Sequence, residues 1–151
     1  MQHLLERVQV LPIDLDEAWA FFSTPRNLVL ITPPELGLVM REPFDGKPAH
    51  AGQLINYTVK PLFGIPLRWV TLIEEVEASR MFVDTQVKGP YRLWRHRHTF
   101  TSVPGGIEMR DRIEYELPLG PLGEIAHAVL VRKQLSRIFD HRRSTLERLF
   151  Q

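Results

Sequence analysis

The chain contains no cysteine, which excludes a disulfide framework, a thiol nucleophile and a metal site with cysteine ligands. It also lacks an apolar run of the roughly 18 residues that a membrane-spanning helix requires. Its N-terminus has no basic segment followed by an apolar run, so the sequence predicts no secretion signal. Together these absences predict a cytoplasmic protein without a transmembrane segment.

The chain also has almost no excess of charge of one sign, because 19 Lys and Arg residues are balanced by 18 Asp and Glu residues. A net charge of +1 argues against nucleic-acid binding driven by charge, and we expect no nucleic-acid partner. The composition, 44% hydrophobic and 25% charged, is that of a globular protein. A length of 151 residues suits one domain, which we expect to span residues 1–151.

The longest predicted element is a C-terminal helix over residues 121–151. It contains no proline after Pro121 and no glycine after Gly123, and its apolar residues recur at helical spacing. The segment 125–131 is apolar on nearly all sides, which is typical of a buried helix. We therefore expect the first half of this helix to lie inside the protein.

The N-terminal residues predict a strand followed by two short helices. Residues 3–11 alternate loosely between apolar and polar side chains, which favours a strand. Asp14 and Glu17 have the spacing of a capping box at the start of a helix. Thr24 and Pro25 resemble the N-cap and first residue of a second short helix.

From residue 36 onward the hydrophobic period changes to two, which indicates strands. Six strands joined by short turns are predicted at residues 36–42, 54–59, 67–76, 81–87, 91–102 and 107–117. With the first strand, they predict an α+β protein of the helix-grip type. In it a curved seven-stranded antiparallel sheet surrounds the long C-terminal helix, with two short helices after the first strand. A curled sheet of this size leaves a cavity unless large side chains fill it.

Residue patterns along nearly the whole chain carry a resemblance to a known family. They are Phe22-x-x-Pro25-x-Asn27-Leu28, Ile31-Thr-Pro-Pro34, Gly64-Ile-Pro66-x-x-Trp69, Phe82-x-Asp84-x-Gln86-x-x-Gly89-Pro90-Tyr91-x-x-Trp94-x-His96-x-His98-x-Phe100, Met109-x-Asp111-x-Ile113-x-Tyr115-x-Leu117-Pro118 and Ile138-Phe139-x-x-Arg142. With these patterns the chain resembles the START/Bet v 1-like (SRPBCC) superfamily. It is most similar to the bacterial branch of ligand-binding SRPBCC domains, also described as cell-division-inhibitor-like.

The resemblance implies the helix-grip fold with a hydrophobic cavity between the sheet and the long helix. Members of the superfamily bind lipids, sterols or quinones, and some are cyclases or hydrolase-like enzymes. One fold that hosts many chemistries does not name a ligand. We expect no resident cofactor.

The segment 94–100 is the most informative for chemistry. Trp94, His96, His98 and Phe100 alternate along one face of a strand, and we expect this aromatic face to point inward. The turn at residues 104–105 fixes the register with the following strand. Three pairs are then directly opposite each other: His98 with Asp111, His96 with Ile113, and Trp94 with Tyr115.

The same register turns Met109 toward the interior, and the turn at residues 88–90 predicts Asp84 near Trp94. Three interpretations of the two histidines and two aspartates remain open. They form a satisfied hydrogen-bond network, with Asp111 bonded to His98 and Asp84 to His96 or an indole. Alternatively, they bind the polar end of a ligand, or they are a catalytic His–Asp base or a metal site. No third histidine is placed with them, so we expect no metal.

The predicted function is the binding of a lipid-, quinone- or polyketide-like molecule in the cavity. One alternative is an enzyme of the polyketide cyclase or hydratase type that uses His96, His98 and Asp111. Another is a protein-partner module with a filled cavity. The predicted ligand contacts are Tyr57, Trp69, Phe82, Asp84, Trp94, His96, His98, Met109, Asp111, Tyr115, Val131 and Leu135.

Two further features leave alternatives open at the surface. The basic segment 132–148 indicates a solvated helix face, with peripheral membrane contact or an anionic partner as the less favoured alternative. The apolar loop 61–66 is a lid over the cavity, an oligomer contact or a simple tight turn. We expect a monomer or a weak homodimer.

Overall fold

A computed structural model of the protein describes residues 1–151. Its seven strands are β1 (His3–Leu11), β2 (Val39–Arg41), β3 (Leu54–Val59), β4 (Leu67–Glu77), β5 (Met81–Lys88), β6 (Leu93–Val103) and β7 (Gly106–Glu116). They form one antiparallel sheet in the order β1-β7-β6-β5-β4-β3-β2, which confirms the predicted meander. β2 is shorter than predicted because residues 34–36 form a 3₁₀ turn that ends at Gly37, a glycine with positive φ.

The helices are α1 (Leu15–Phe22), α2 (Asn27–Leu30), α3 (Gly120–Ala126) and α4 (Arg132–Leu149). A π-helical turn, His127–Val131, joins α3 to α4. Together α3, the π-helical turn and α4 form one C-terminal helix that packs against the concave side of the sheet. The architecture is therefore the predicted α+β helix-grip fold. No helix combines the length and the apolar character needed to cross a membrane.

Of the two helix caps predicted from the sequence, one is confirmed and one is wrong. The Glu17 amide donates to Asp14 Oδ1 at 2.8 Å, which confirms Asp14 as the N-cap of α1. The prediction that Thr24 caps α2 is wrong, because α2 begins at Asn27. The Thr24 hydroxyl instead donates to the Ala20 carbonyl at 2.7 Å, a back-bond that Ser and Thr often make in helices.

The two ends of the curled sheet differ, and the C-terminal helix connects them. At one end, which we call the closed end, α1 packs on the main hydrophobic core. There Phe21 lies edge-on to Phe150, with ring centroids 5.1 Å apart. At the other end, which we call the mouth end, β3 finishes, β7 finishes and α3 begins.

The prediction that the first half of the C-terminal helix is buried is wrong. In residues 120–131 only Gly123 and His127 are buried, whereas Leu122 and Ile125 are 68% and 61% exposed. The sheet covers one side of the helix, and no other element covers the opposite side. An apolar surface is left in solvent there, at the mouth end.

Candidate functional site

A cavity of about 460 Å³ lies between the sheet and the C-terminal helix. This volume falls within the range of small-molecule pockets, roughly 300–1,000 Å³. Apolar side chains from β3, β4 and the helix, such as Ile55, Trp69 and Ile138, form most of the wall. The cavity exists because the sheet curls around the helix without large side chains filling the space between them.

Most residues predicted as ligand contacts lie on this wall. They are Tyr57, Trp69, Phe82, Asp84, Trp94, His96, His98, Val131 and Leu135. Three others are buried but do not line the cavity. Met109 packs in the core of the closed end, Asp111 lies behind His96, and the Tyr115 hydroxyl hydrogen-bonds to His127 at 2.7 Å. Their inward orientation was predicted, but an inward side chain is not necessarily at the cavity surface.

The register of the β6–β7 hairpin is as predicted, with His98 opposite Asp111, and Trp94 opposite Tyr115. The turn at residues 88–90 predicts Asp84 near Trp94, and the register places Asp84 directly opposite His96, two residues further along β6. The connection from β5 to β6 is longer than the predicted turn, since β5 ends at Lys88 and β6 begins at Leu93. The longer connection shifts the pairing by two residues.

Two carboxylate–histidine pairs form in this part of the sheet. His96 Nε2 lies 2.7 Å from Asp111 Oδ1, and His98 Nε2 lies 2.6 Å from Asp84 Oδ2. The predicted pairing was different, with His98 bonded to Asp111 and Asp84 bonded to His96 or to an indole. Side chains on neighbouring strands reach diagonal as well as directly opposite partners. The two imidazoles stack at 3.7 Å, so each binds the carboxylate diagonal to it.

Arg142 of α4 completes the network; it belongs to one of the residue patterns noted in the sequence but was not predicted as a site residue. It is buried, lines the cavity, and places Nη1 3.7 Å from Asp111 Oδ1. Its Nε has no hydrogen-bond partner. The signal was present, because Arg142 falls on the same apolar stripe of the helix as Leu135, Phe139 and Leu146. A basic residue on a buried stripe needs a carboxylate partner.

Burial lowers the pKa of His98 below its ordinary value, and the nearby His96 acts in the same direction. Burial alone would raise the pKa of Asp111, but the hydrogen bond to His96 and the charges of His96 and Arg142 bring it below its usual range. The pKa of Asp84 is lowered in the same way, against burial, by its hydrogen bond to His98. At neutral pH the site therefore holds two carboxylates and a neutral His98.

We expect the protein to lose stability as the pH falls below about 6.5, where an unfolded histidine takes up a proton. Because the pKa of folded His98 is lower, the unfolded state binds more protons in this range, and acid favours unfolding. His98→Gln should reduce the slope of unfolding free energy against pH by up to about 1.4 kcal/mol per pH unit. Urea unfolding between about pH 7.5 and 5.5 measures this slope. His141→Gln is the control, and equal slopes in the two variants would contradict the assignment.

Two groups of residues have the composition of a metal site. They are Asp84 with His96 and His98, and His3 with Glu124 and His127, each with its ligand atoms within 4.8 Å of one another. In both groups the imidazoles stack face to face, at 3.7 Å and 3.6 Å. Two imidazoles that bind one tetrahedral ion approach it from widely separated directions, which differs from the parallel stacking seen here. The internal hydrogen bonds account for both arrangements without an ion.

Comparison with known proteins identifies the fold. No family model matches the sequence, and a comparison with curated proteins likewise finds no match. Among solved structures, TTHA0849 from Thermus thermophilus is similar with a TM-score of 0.74 and 13% identity, over 97% of this chain and 95% of that one. Major latex-like protein 151 from Panax ginseng gives 0.69 and 14%, over 99% and 97%.

The di-domain ARO/CYC protein StfQ from the steffimycin biosynthetic pathway gives a TM-score of 0.73 and 14% identity, over 99% of this chain and 51% of that one. At these identities the likeness concerns the fold alone. The protein has a Bet v 1-like helix-grip fold, in agreement with the superfamily that its residue patterns resemble.

Proposed function

We propose that the protein binds an apolar small molecule in the cavity between the sheet and the C-terminal helix. The observation that carries this proposal is the cavity itself, about 460 Å³ with a mostly apolar wall. Proteins with a Bet v 1-like fold typically bind hydrophobic ligands in such a cavity, which supports the proposal. The residue patterns also support membership of the bacterial ligand-binding SRPBCC branch.

The distribution of polar groups suggests what the ligand looks like. His98, Asp84 and Arg142 lie on the same part of the wall, whereas Ile55, Ile73 and other apolar side chains form most of the remainder, which also includes Asn27, Thr71 and Gln134. A few convergent polar groups in an apolar pocket fix the orientation of a ligand. The ligand that fits is a largely apolar molecule with one hydroxyl, carbonyl or carboxyl group, as in lipids, quinones and polyketides.

Intrinsic fluorescence provides a direct test, because two of the three tryptophans, Trp69 and Trp94, line the cavity. In a Trp19→Phe variant all indole emission comes from the cavity wall. Titration with oleic acid and, separately, with a naphthoquinone should change this emission saturably at one site per chain. A response that is linear in ligand, or equal for an unfolded control, would contradict binding in the cavity.

One observation favours a second candidate function. The His98–Asp84 pair lies on the cavity wall, and a neutral histidine oriented by a carboxylate has the arrangement of a general base. This supports an enzyme of the polyketide cyclase or hydratase type. In that case the wild type would convert a bound polyketide-like compound into a product with a different chromatographic retention and, where water is added or lost, a different mass, while His98→Gln would bind it unchanged. A simple binding protein would leave the compound intact in both.

The third alternative, a partner-binding module, requires an interior filled by large side chains, and this is not supported. Trp69 and Trp94 lie edge-on, with ring centroids 5.3 Å apart, and both border open space. Cytoplasmic location and a monomeric or weakly dimeric state remain predictions.

A further inference from the structure

We propose that the rim of the cavity at the mouth end docks on a lipid bilayer that contains anionic lipids, so that the apolar ligand passes between membrane and cavity. The ligand exchange rests on the proposed function, whereas the docking itself rests on the surface described below. The observations are an apolar rim, a loop held against the helix, and basic residues without acidic partners.

The rim consists of exposed apolar side chains that also line the cavity. They are Leu62, Leu67, Leu119, Leu122 and Leu130. Leu119 is 75% exposed and Leu122 is 68% exposed, yet both face the cavity on one side. Contiguous exposed apolar surface on a globular protein usually marks an interaction site. Here the exposed surface continues directly into the cavity wall.

The loop 60–66 adds the most prominent apolar side chain of the molecule. Phe63 is 90% exposed, and Ile65 beside it is 55% exposed. Phe63 and Gly64 both have positive φ, 52° and 67°, so the chain makes a tight turn that projects the ring into solvent. An aromatic side chain at the tip of such a turn is suited to the interface between lipid headgroups and acyl chains.

The loop and the C-terminal helix form one surface. Gln134 Nε2 donates to the Pro61 carbonyl at 2.6 Å, which holds the base of the loop against α4. On the helix, Ile125, Val129, Lys133 and Arg137 follow each other at intervals of four residues, and all four are exposed. Such spacing places them near one face. The apolar half of this row borders the rim, and the basic half continues along the helix.

Basic residues outnumber acidic ones around the mouth. Two acids there are Glu116, the last residue of β7, and exposed Glu35, in the turn whose Leu36 carbonyl accepts from the Lys60 amide at 2.7 Å. Residues 60–68, 88–92 and 117–137 contain a single acid, Glu124, together with the basic residues Lys60, Arg68, Lys88, Arg92, Arg132, Lys133 and Arg137. Glu124 is engaged by His3 at 3.0 Å. Of the basic residues only Arg92 has an ion-pair partner, Glu116 at 3.9 Å. By contrast, Arg7 and Arg112 elsewhere on the surface bind Asp140 and Glu6 at 2.8 Å and 2.6 Å.

These features together match an anionic bilayer better than a protein partner. Interfacial binding needs an apolar patch that enters the headgroup region and basic residues that attract anionic lipids. Unpaired Lys and Arg gain about 1 kcal/mol each near such a surface, which is about fivefold in partitioning. An apolar ligand is also concentrated in lipid rather than in water, so a cavity that opens on this surface meets its ligand directly.

The test is sedimentation of the full chain with vesicles of phosphatidylcholine, alone or with phosphatidylserine added. We expect binding that requires phosphatidylserine and decreases with added salt. Phe63→Ser should lower the partition coefficient at least about tenfold, the order expected for a buried aromatic side chain. Lys133→Gln combined with Arg137→Gln should lower it roughly 25-fold.

Two matched variants control for general effects. Leu149→Ser removes an exposed leucine at the opposite end of the C-terminal helix. Lys47→Gln removes an exposed lysine before β3, whose other end reaches the mouth. Both variants should sediment like the wild type. Oleic acid titration without vesicles tests the cavity separately, so a failure of docking is distinguishable from a failure of ligand binding.

Docking is overturned if the wild type stays in the supernatant with both vesicle compositions, or if Phe63→Ser sediments as the wild type does. It is also overturned if analytical ultracentrifugation shows a dimer that Phe63→Ser abolishes while vesicle binding is absent. That result would assign the same surface to a second copy of the chain.

Discussion

Replacing Asp111 with alanine should lower the free energy of unfolding by about 3–5 kcal/mol, the range for removing one partner of a buried ion pair. Asp111 is buried, accepts a hydrogen bond from His96 at 2.7 Å and lies 3.7 Å from Arg142. Its removal leaves the buried Arg142 without its carboxylate partner. The Arg142 Nε has no hydrogen-bond partner either, so little else compensates the charge. Urea unfolding monitored by circular dichroism measures the loss.

Asp140→Ala is the matched control, because it also removes one carboxylate bound to an arginine. Asp140 binds Arg7 at 2.8 Å, but its side chain is 67% exposed. Exposed pairs contribute about 0–1 kcal/mol. The double variant Asp111→Ala with Arg142→Met should be more stable than Asp111→Ala alone, since it no longer buries an unpaired charge. If Asp111→Ala and Asp140→Ala cost the same, the buried network is not a determinant of stability.

Replacing Ala126 with phenylalanine should weaken the binding of oleic acid by at least about tenfold while the protein remains folded. Ala126 lies on the helix, half-buried, and lines the cavity. A phenyl ring at this position occupies space that the ligand needs, and it excludes ligand atoms that would otherwise be buried at about 0.8 kcal/mol per methylene. The titration with Trp69 and Trp94 as reporters measures the affinity.

Ala128→Phe is the control for this experiment. Ala128 lies two residues further along the same helix, is exposed and does not line the cavity. The same ring placed there should leave the affinity unchanged. Equal weakening by the two variants would show that the response comes from the helix surface rather than from the cavity.

The strand pattern was predictable because alternation of period two fixes which side chains share a face. The short β6–β7 turn also fixed the register, so that His98 opposite Asp111 follows from the sequence. The hydrogen-bond partners did not follow. Register places Cα atoms, whereas the stacking of His96 on His98 turns each ring toward the diagonal carboxylate. The longer β5–β6 connection likewise moved Asp84 opposite His96.

The exposed first half of the C-terminal helix shows another limit of pattern reasoning. An apolar segment predicts contact with something apolar, but it does not say whether the partner belongs to the same chain. Ile125 and Val129 have no covering element in the fold. The sequence predicts an apolar segment but not its position beside the cavity, because that position depends on how the loop 60–66 packs against α4.

Native mass spectrometry of the purified protein, followed by solvent extraction, shows directly whether the cavity holds an apolar ligand. We expect a mass above that of the bare chain, due to a lipid, quinone or similar compound. This added mass should be absent in Ala126→Phe and present in Ala128→Phe. A wild type that shows only the bare mass, and whose Trp69 and Trp94 emission does not respond to oleic acid or naphthoquinone, would contradict the claim.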